Sequence, residues 1–509
     1  MILTAADLTS DRTVECDVCV IGSGAGGAVL AAGLAERGRR VVILEEGGHH
    51  TSKDFRRLDE AWSLPALYQE RGTRATADLG ITILQGRSVG GGTTVNWTTC
   101  FRTPDHVLQH WRDHHGLTLT TEELAPHFAA VEERLGIATW DQVPPNENNA
   151  TLARGGAALG LTTHRTRRNV RGCANSGYCG FGCPFDAKQG MGLTCVPDAV
   201  AAGATVYADT RAERLRVEGG RVVGVEARVM DPARDRASTV RIEVKAKVVA
   251  VCGGAINSPA LLLRSGLDRG PVGRRTFLHP VVSCVGLYPH DIAGWHGAPQ
   301  SVYSHDPLAA EAGEIGFFLE AAPVHPMLAS VSAPVMGPEL LTFMQDLKRT
   351  SSLLAIHVDG FAPGDDGGTV SLRKDGRIRV DYPVTAQLAR SFRRSHELLA
   401  RLHLAAGARE VYTLHAQPLR LATQGDLARL DDRAYGALEH AIFTAHQMGG
   451  CAMGPDPATS VVDRDLRHHD VGNLFVVDGS VLPTSLGVNP SETIYGLAHR
   501  ARDAVFAAG

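Results

Sequence analysis

Charge runs, uninterrupted apolar stretches of membrane length and paired cysteines are all scarce in this chain of 509 residues. Its formal net charge is only −4, so it lacks the basic footprint of a nucleic-acid-binding protein. The most basic run, His164–Arg171, is short and holds no aromatic residue, which suits a solvated face better than a polyanion site. One uncharged stretch, Val18–Ala35, has nearly the length of a membrane segment, but five glycines interrupt it and no basic cluster precedes it. Neither a signal peptide nor a membrane span is expected there. Ten cysteines are few for this length and mostly scattered, as in a reducing compartment, so a cytoplasmic location is expected. No C-x-x-C-H segment for haem attachment, internal repeat or low-complexity tract occurs. With 44% hydrophobic and 21% charged residues, the composition is that of a globular chain long enough for two domains.

The strongest positive signal runs from Asp17 to Gly48. Asp17–Ile21 is a short apolar, β-branched run that predicts a buried strand. It leads into Gly22-Ser23-Gly24-Ala25-Gly26-Gly27, a G-x-G-x-x-G turn built on Gly22, Gly24 and Gly27. In such turns the first glycine permits the tight bend, the second lets backbone approach a pyrophosphate, and the third lets helix and strand pack closely. The Ala/Leu-rich segment 28–37 continues as a helix whose N-terminus faces that pyrophosphate. Arg40–Leu44 is the next strand, and Glu45 at its end is placed to hydrogen-bond a ribose hydroxyl. No second G-x-G-x-x-G exists, which argues against a separate NAD(P)H site of the kind flavin reductases carry.

Further along, Glu46–Asp78 is polar and of low periodicity, and Gly86–Trp97 forms a second Gly-rich loop. There Gly90, Gly91 and Gly92 let backbone lie flat, with Thr93, Thr94 and Asn96 as hydrogen-bonding groups. Residues 104–160 predict helix, with a capping box starting at Thr120. Ala204–Lys247 alternates as a β-meander turning at Gly219-Gly220. Val248–Cys252 is another buried strand, followed by Gly253–Pro259 and a Leu-rich helix. Between 280 and 440, strand-like segments at Val281–Leu287, Glu314–Glu320 and Leu353–Val358 alternate with loops. A hairpin is expected at Asp375-Gly376 and an amphipathic helix over Ala386–Ala406.

Taken in this order, the first turn, Gly86–Trp97, Gly253–Pro259, His446–Gly454 and Asp478–Thr493 resemble the glucose–methanol–choline (GMC) oxidoreductases over essentially the full length. The last two stretches are similar to those of cholesterol oxidases, and Gly177–Pro184 is similar to bacterial members grouped with long-chain alcohol oxidases. The resemblance implies an α/β fold (α+β overall): a Rossmann-like FAD-binding domain with an inserted, mostly antiparallel β-sheet substrate domain. The FAD-binding segments would be 1–105, 196–285 and 441–509, with 106–195 and 286–440 on the substrate side. It further implies that Gly22, Gly24, Gly27 and Glu45 hold the adenosine half of FAD. Gly90, Gly91 and Asn96 would lie along the pyrophosphate and isoalloxazine, Gly479 and Pro490 would approach the ring, and Asp478 would also be among the cofactor-binding residues. No histidine lies between Gly86 and Trp97, where relatives attach their flavin covalently, so noncovalent FAD is expected.

Oxidising an alcohol removes a hydroxyl proton and a carbon-bound hydride; FAD takes the hydride, and the protein orients the alcohol and manages the proton. His446 fills the proton-accepting role by position, and Asn489 can steady the substrate oxygen without ionising. The other histidines are read as surface or loop residues; His49-His50, His114-His115 and His468-His469 are adjacent pairs unlike metal ligands, and no metal site is expected. Cys173, Cys179 and Cys183 leave two readings open: an iron–sulfur ligand set, or a packed Gly-rich loop with free thiols or one disulfide. The expected function is oxidation of an apolar, long-chain or sterol-like alcohol, with oxygen as acceptor. An iron–sulfur-linked dehydrogenase serving a protein or quinone is the alternative, and a lyase on the same scaffold a third.

Overall fold

The computed structural model describes residues 1–509 except Pro232, Arg234 and Ala312. The main sheet runs, from one edge to the other, Ile2–Leu3, Thr205–Tyr207, Val41–Leu44, Arg12–Ile21, Ala237–Val251, Arg221–Met230 and Thr210–Glu218, with Leu474–Val476 paired to the end of Ala237–Val251. The first five of these strands are parallel, and 210–251 is the antiparallel meander expected from its alternation. Val18–Ile21, Val41–Leu44 and Val248–Val251 are buried without interruption, as parallel strands covered on both faces must be. The helix Ala25–Ala35 packs against the C-terminal helix Ser491–Ala508, which explains why the former is apolar all round.

Register decides where the site falls. Ile21 lies beside Leu44 and Val251, and Val251 beside Val476. Four parallel strands therefore end at one edge, and the residues just beyond them are Gly22, Glu45, Gly253 and Asp478. This is the crevice outside the carboxyl ends of the strands, where open α/β sheets bind ligands.

The second large sheet is antiparallel, in the order Arg420–Leu421, Glu410–Thr413, Val281–Leu287, Thr350–His357, Phe317–Ala322, Val302–Ser304 and His164–Arg165. Its side chains alternate with period two. Val282, Phe317, Leu319, Leu353 and Ala355 share one core with residues of the helix Ala386–Ala405. Val281, Phe318, Leu354 and Ile356 form a separate cluster on the opposite face. A four-stranded sheet (Ile378–Asp381, Gly368–Leu372, Arg274–Phe277, Met448–Gly449) links this region to the chain around His446. The 373–377 turn forms as expected, with Gly376 at φ +79 and its N–H donating to Arg373 O.

Several boundaries move. The expected strand 314–320 begins only at Phe317, and the one expected from Leu353 begins at Thr350. The connection after Glu45 contains helices Ser52–Phe55 and Glu60–Leu67; a side-chain cap at Asp59, rather than apolar periodicity, marks the second. The helical block 104–160 is three helices with a short strand, Ile137–Thr139, between the last two. Among the described residues, no helix is long and apolar enough to cross a membrane.

Candidate active site

The site begins at the turn after the strand Arg12–Ile21. Gly22 sits at φ +105, and a Cβ there would lie 2.3 Å from Cys252 O. Gly26, which the motif itself leaves unspecified, is tighter still: its Cβ would stand 1.8 Å from Val477 O. The turn is thus pressed against the ends of two neighbouring strands. Gly26→Ala is expected to lose FAD on desalting and to melt at lower temperature, overpacking of this kind costing about 1–3 kcal/mol. A yellow variant with unchanged melting would contradict the contact.

Glu45 is buried and held by Ser23 N (3.0 Å), Ser23 Oγ (2.6 Å) and Gly47 N (2.8 Å). Burial pushes its carboxyl pKa up against these hydrogen bonds. Ser23 Oγ in turn accepts Gly90 N at 3.0 Å, which joins the first Gly-rich turn to the second. A Cβ on Gly91 would be 2.7 Å from Gly24 Cα, so the two loops touch backbone to backbone.

A cavity of about 1150 Å³ runs along this junction. It is bordered by Gly22, Gly24, Glu45, Gly91 and Asn96 and continues to Asp478, Gly479, Asn489, Pro490 and His446. Gly27 and Gly90 do not border it; they lie behind its wall, Gly27 where a Cβ would meet Gly22 O at 2.0 Å. Asn96 Oδ1 is buried with no protein partner beside this space. Asp478 accepts Gly254 N (2.8 Å), Ser258 Oγ (2.5 Å), Ser480 N (2.8 Å) and Ser480 Oγ (2.5 Å), and burial raises its pKa. It therefore clamps the 253–258 segment to the 478–480 turn. The 18-residue helix Ser491–Ala508 starts at the cavity, so the positive end of its dipole favours negative charge there. An elongated, glycine-walled space with an orphaned amide oxygen and a helix N-terminus fits a dinucleotide such as FAD.

At the far end, His446 Nε2 lies 3.2 Å from Asn489 Nδ2. Burial lowers the His446 pKa to about 4, so the ring is neutral at pH 7. Residues that sequence reasoning missed complete the arrangement. Glu320 is fully buried; burial pushes its carboxyl up to about 8, opposed by hydrogen bonds from Asn489 and Gln300. Gln300 Nε2 donates to Glu320 Oε2, and Thr99 Oγ1 donates to Gln300 Oε1 at 2.8 Å. His279 touches His446 through its Nδ1 at 3.2 Å. An acid inside the apolar run Phe317–Ala322, on the same alternate face as Phe318, was the available signal for Glu320.

The dismissal of the remaining histidines needs correction. His279, His357, His396, His403, His415, His440 and His468 are all buried; His357, His396, His415 and His440 pack against one another and against Phe392 and Tyr435 in the second domain. The cysteine loop is also clarified. Cys173, Cys179 and Cys183 border a small void of about 10 Å³, but among the described residues no three His, Cys, Asp or Glu side chains form a group able to hold a metal. Lys188 Nζ donates to Cys179 O (2.7 Å), Asn96 O (3.1 Å) and Thr94 O (2.5 Å). The loop braces the backbone around Asn96.

Two models described as GMC oxidoreductase match residues 64–281 and 363–498, and an NAD(P)-binding Rossmann-like model matches residues 20–88. The uncharacterized GMC-type oxidoreductase Rv0492c of Mycobacterium tuberculosis is 34% identical over 512 residues, covering 99% of this chain and 77% of that protein. Long-chain-alcohol oxidase FAO3 of Arabidopsis thaliana is 31% identical over 513 residues, covering 96% of this chain and 67% of that one. Among solved structures, pyridoxine 4-oxidase from Mesorbium loti is similar with a TM-score of 0.70 at 23% identity, covering 96% of this chain and 99% of that one. A variant of Aspergillus oryzae RIB40 formate oxidase reaches a TM-score of 0.73 at 15% identity, covering 98% and 99%. At these identities the structures speak for the fold, while the family models together cover most of the chain. The chain belongs to the GMC oxidoreductase family.

Proposed function

We propose that this protein oxidises an apolar alcohol to an aldehyde or ketone with noncovalently bound FAD, and passes the electrons to oxygen. One observation carries the reading: a single cavity joins the Gly22–Glu45 turn to the His446–Asn489 pair. FAD, when bound, supplies the hydride acceptor. Gly22, Gly24, Glu45, Gly91 and Asn96 would hold its dinucleotide, and Gly479 and Pro490 would border its ring. His446 and Asn489 would bind the alcohol oxygen. Trp97, Val281, Leu354, Ile356 and Phe443 also border the cavity and give it the apolar surface that a hydrocarbon chain requires. The similarity to the plant long-chain-alcohol oxidase supports the same substrate class.

The iron–sulfur alternative gains no support from the cysteine loop, whose three thiols do not form a metal-holding group among the described residues. A cytoplasmic location remains part of the proposal; the ten cysteines are all unpaired, as a reducing compartment favours.

The purified protein is expected to be yellow, to release FAD into the supernatant on acid precipitation, and to form hydrogen peroxide with long-chain alcohols in air. Flavin left in the pellet would refute noncovalent attachment. Anaerobic bleaching by alcohols without peroxide in air would move the acceptor from oxygen to another oxidant.

A further inference from the structure

His279 joins the two halves of the His446–Asn489 pair, and its own backbone is unusual. It sits at φ +46, a left-handed conformation that L-residues seldom adopt, and it is fully buried. Asp359 holds it there, accepting Leu278 N at 2.9 Å and His279 N at 3.1 Å. Its ring meets Phe318 edge-on at 5.7 Å and His446 at 5.4 Å. Strained residues locked by their surroundings concentrate at functional sites.

The two ring nitrogens have different partners. Nε2 accepts from Leu486 N (3.3 Å) and Gly487 N (3.2 Å), in the segment that leads to Asn489. A nitrogen receiving two amide protons carries none itself. Burial keeps the ring neutral, so its one proton is on Nδ1, where it is donated to His446 Nδ1. His446 Nδ1 is then an acceptor, and the proton of the neutral His446 ring is on Nε2. The opposite tautomer would drive a His279 Nε2–H into two backbone N–H groups.

This direction also settles the Asn489 amide, whose oxygen and nitrogen are interchangeable by shape. With its oxygen toward His446 Nε2–H, the buried Asn489 Oδ1, which otherwise lacks a partner, gains one. Donation then runs one way, from the 486–487 amides through His279 and His446 to Asn489.

We propose that His279 is the positioning residue that holds His446 as an Nε2–H donor to the substrate oxygen, which rests on the alcohol-oxidase reading above. The proton-accepting role that sequence position gives His446 becomes a donating one in the resting enzyme. An alcohol entering between His446 and Asn489 accepts the Nε2–H and donates its own O–H to Asn489 Oδ1, with no bond reversed. A carbonyl product has no proton for Asn489, so the pair binds it with one hydrogen bond fewer.

Holoenzyme labelled with ¹⁵N-histidine tests this without any substrate, through long-range proton–nitrogen correlation spectra assigned with His279→Asn and His446→Gln. The expected result is a protonated Nε2 and bare Nδ1 for His446, and the reverse for His279. A His446 protonated on Nδ1 overturns the proposal, whatever the substrate proves to be. In His279→Asn, chosen because asparagine tolerates left-handed backbone, His446 is expected to populate both tautomers. Flavin reduction is expected to slow about a hundredfold, the scale of a displaced catalytic group, with kcat changed more than KM. An unaltered His446 spectrum with a rate within twofold of wild type also overturns it. If that variant does not fold, the wild-type spectrum still decides.

Discussion

His446→Ala is expected to retain FAD yet to lose about a hundredfold to ten-thousandfold in the rate at which an alcohol bleaches the flavin, the range for losing a positioned acid–base group. FAD retention is expected because the hydrogen bonds that shape the Gly22–Gly26 turn and hold Glu45 run to Ser23, Gly47 and Gly90 and none to His446. The loss of rate follows from the 3.2 Å contact with Asn489, which puts the imidazole and that amide together at the cavity. Asn489→Ala is expected to slow the same step by less, because it removes an orienting group and keeps the imidazole. Stopped-flow reduction within a few-fold of wild type in His446→Ala would refute the role, and a colourless His446→Ala protein would refute the separation of the two ends.

A large effect of pH on stability is expected from the second domain. His396, His415 and His440 stack with ring centroids 4.8–5.4 Å apart, enclosed by Phe392 and Tyr435. Burial, reinforced by mutual repulsion for His415 and His440, lowers their pKa values to about 4, 3 and 2 respectively. The unfolded chain takes up a proton on each below pH 6.5, whereas the folded chain does so only near these lowered values. Their contribution is therefore fully present above pH 6.5 and is lost as pH falls toward 4. Glu320 and Glu492, both pushed up to about 8 by burial, act in the opposite sense over part of this range. A difference measurement isolates the histidines. Between pH 7.5 and 5.0, wild type should lose about 4 kcal/mol more stability than His415→Leu/His440→Leu, roughly 2 kcal/mol per histidine. Urea unfolding at the two pH values reads this directly, and equal losses in both proteins would refute it.

Much of the cofactor side was legible because its constraints are local. Gly22, Gly24 and Glu45 follow strands within a few residues, and a turn that must approach a ligand admits little besides glycine. Gly26 was not legible as a contact, since the carbonyl that excludes a side chain there belongs to Val477, some 450 residues away. His446 and Asn489, whose side chains lie 3.2 Å apart, were picked out through the order of motifs. Glu320, Gln300 and His279 were missed because their importance is relational. Glu320 reads as an ordinary strand residue until Phe317–Ala322 is placed against Thr350–His357 with its alternate face toward the cavity. His279 looks like any histidine before proline until the 486–487 amides arrive from the last part of the chain. The buried histidines of the second domain lacked any sequence signal, because ring packing follows no short period.

The four strand ends that meet at the cavity come from positions 21, 44, 251 and 476. During synthesis Asp478, Gly479 and Asn489 cannot join the first Gly-rich turn until some 450 residues after it have been made. The central strand Ala237–Val251 therefore lacks the Leu474–Val476 neighbour that covers its end until more than 200 further residues have been made. Contacts between such distant segments are slow to form and leave apolar edges open in the meantime. A cofactor held by both turns, as proposed above for FAD, would be captured only once both have been made, and would act as the clasp between them.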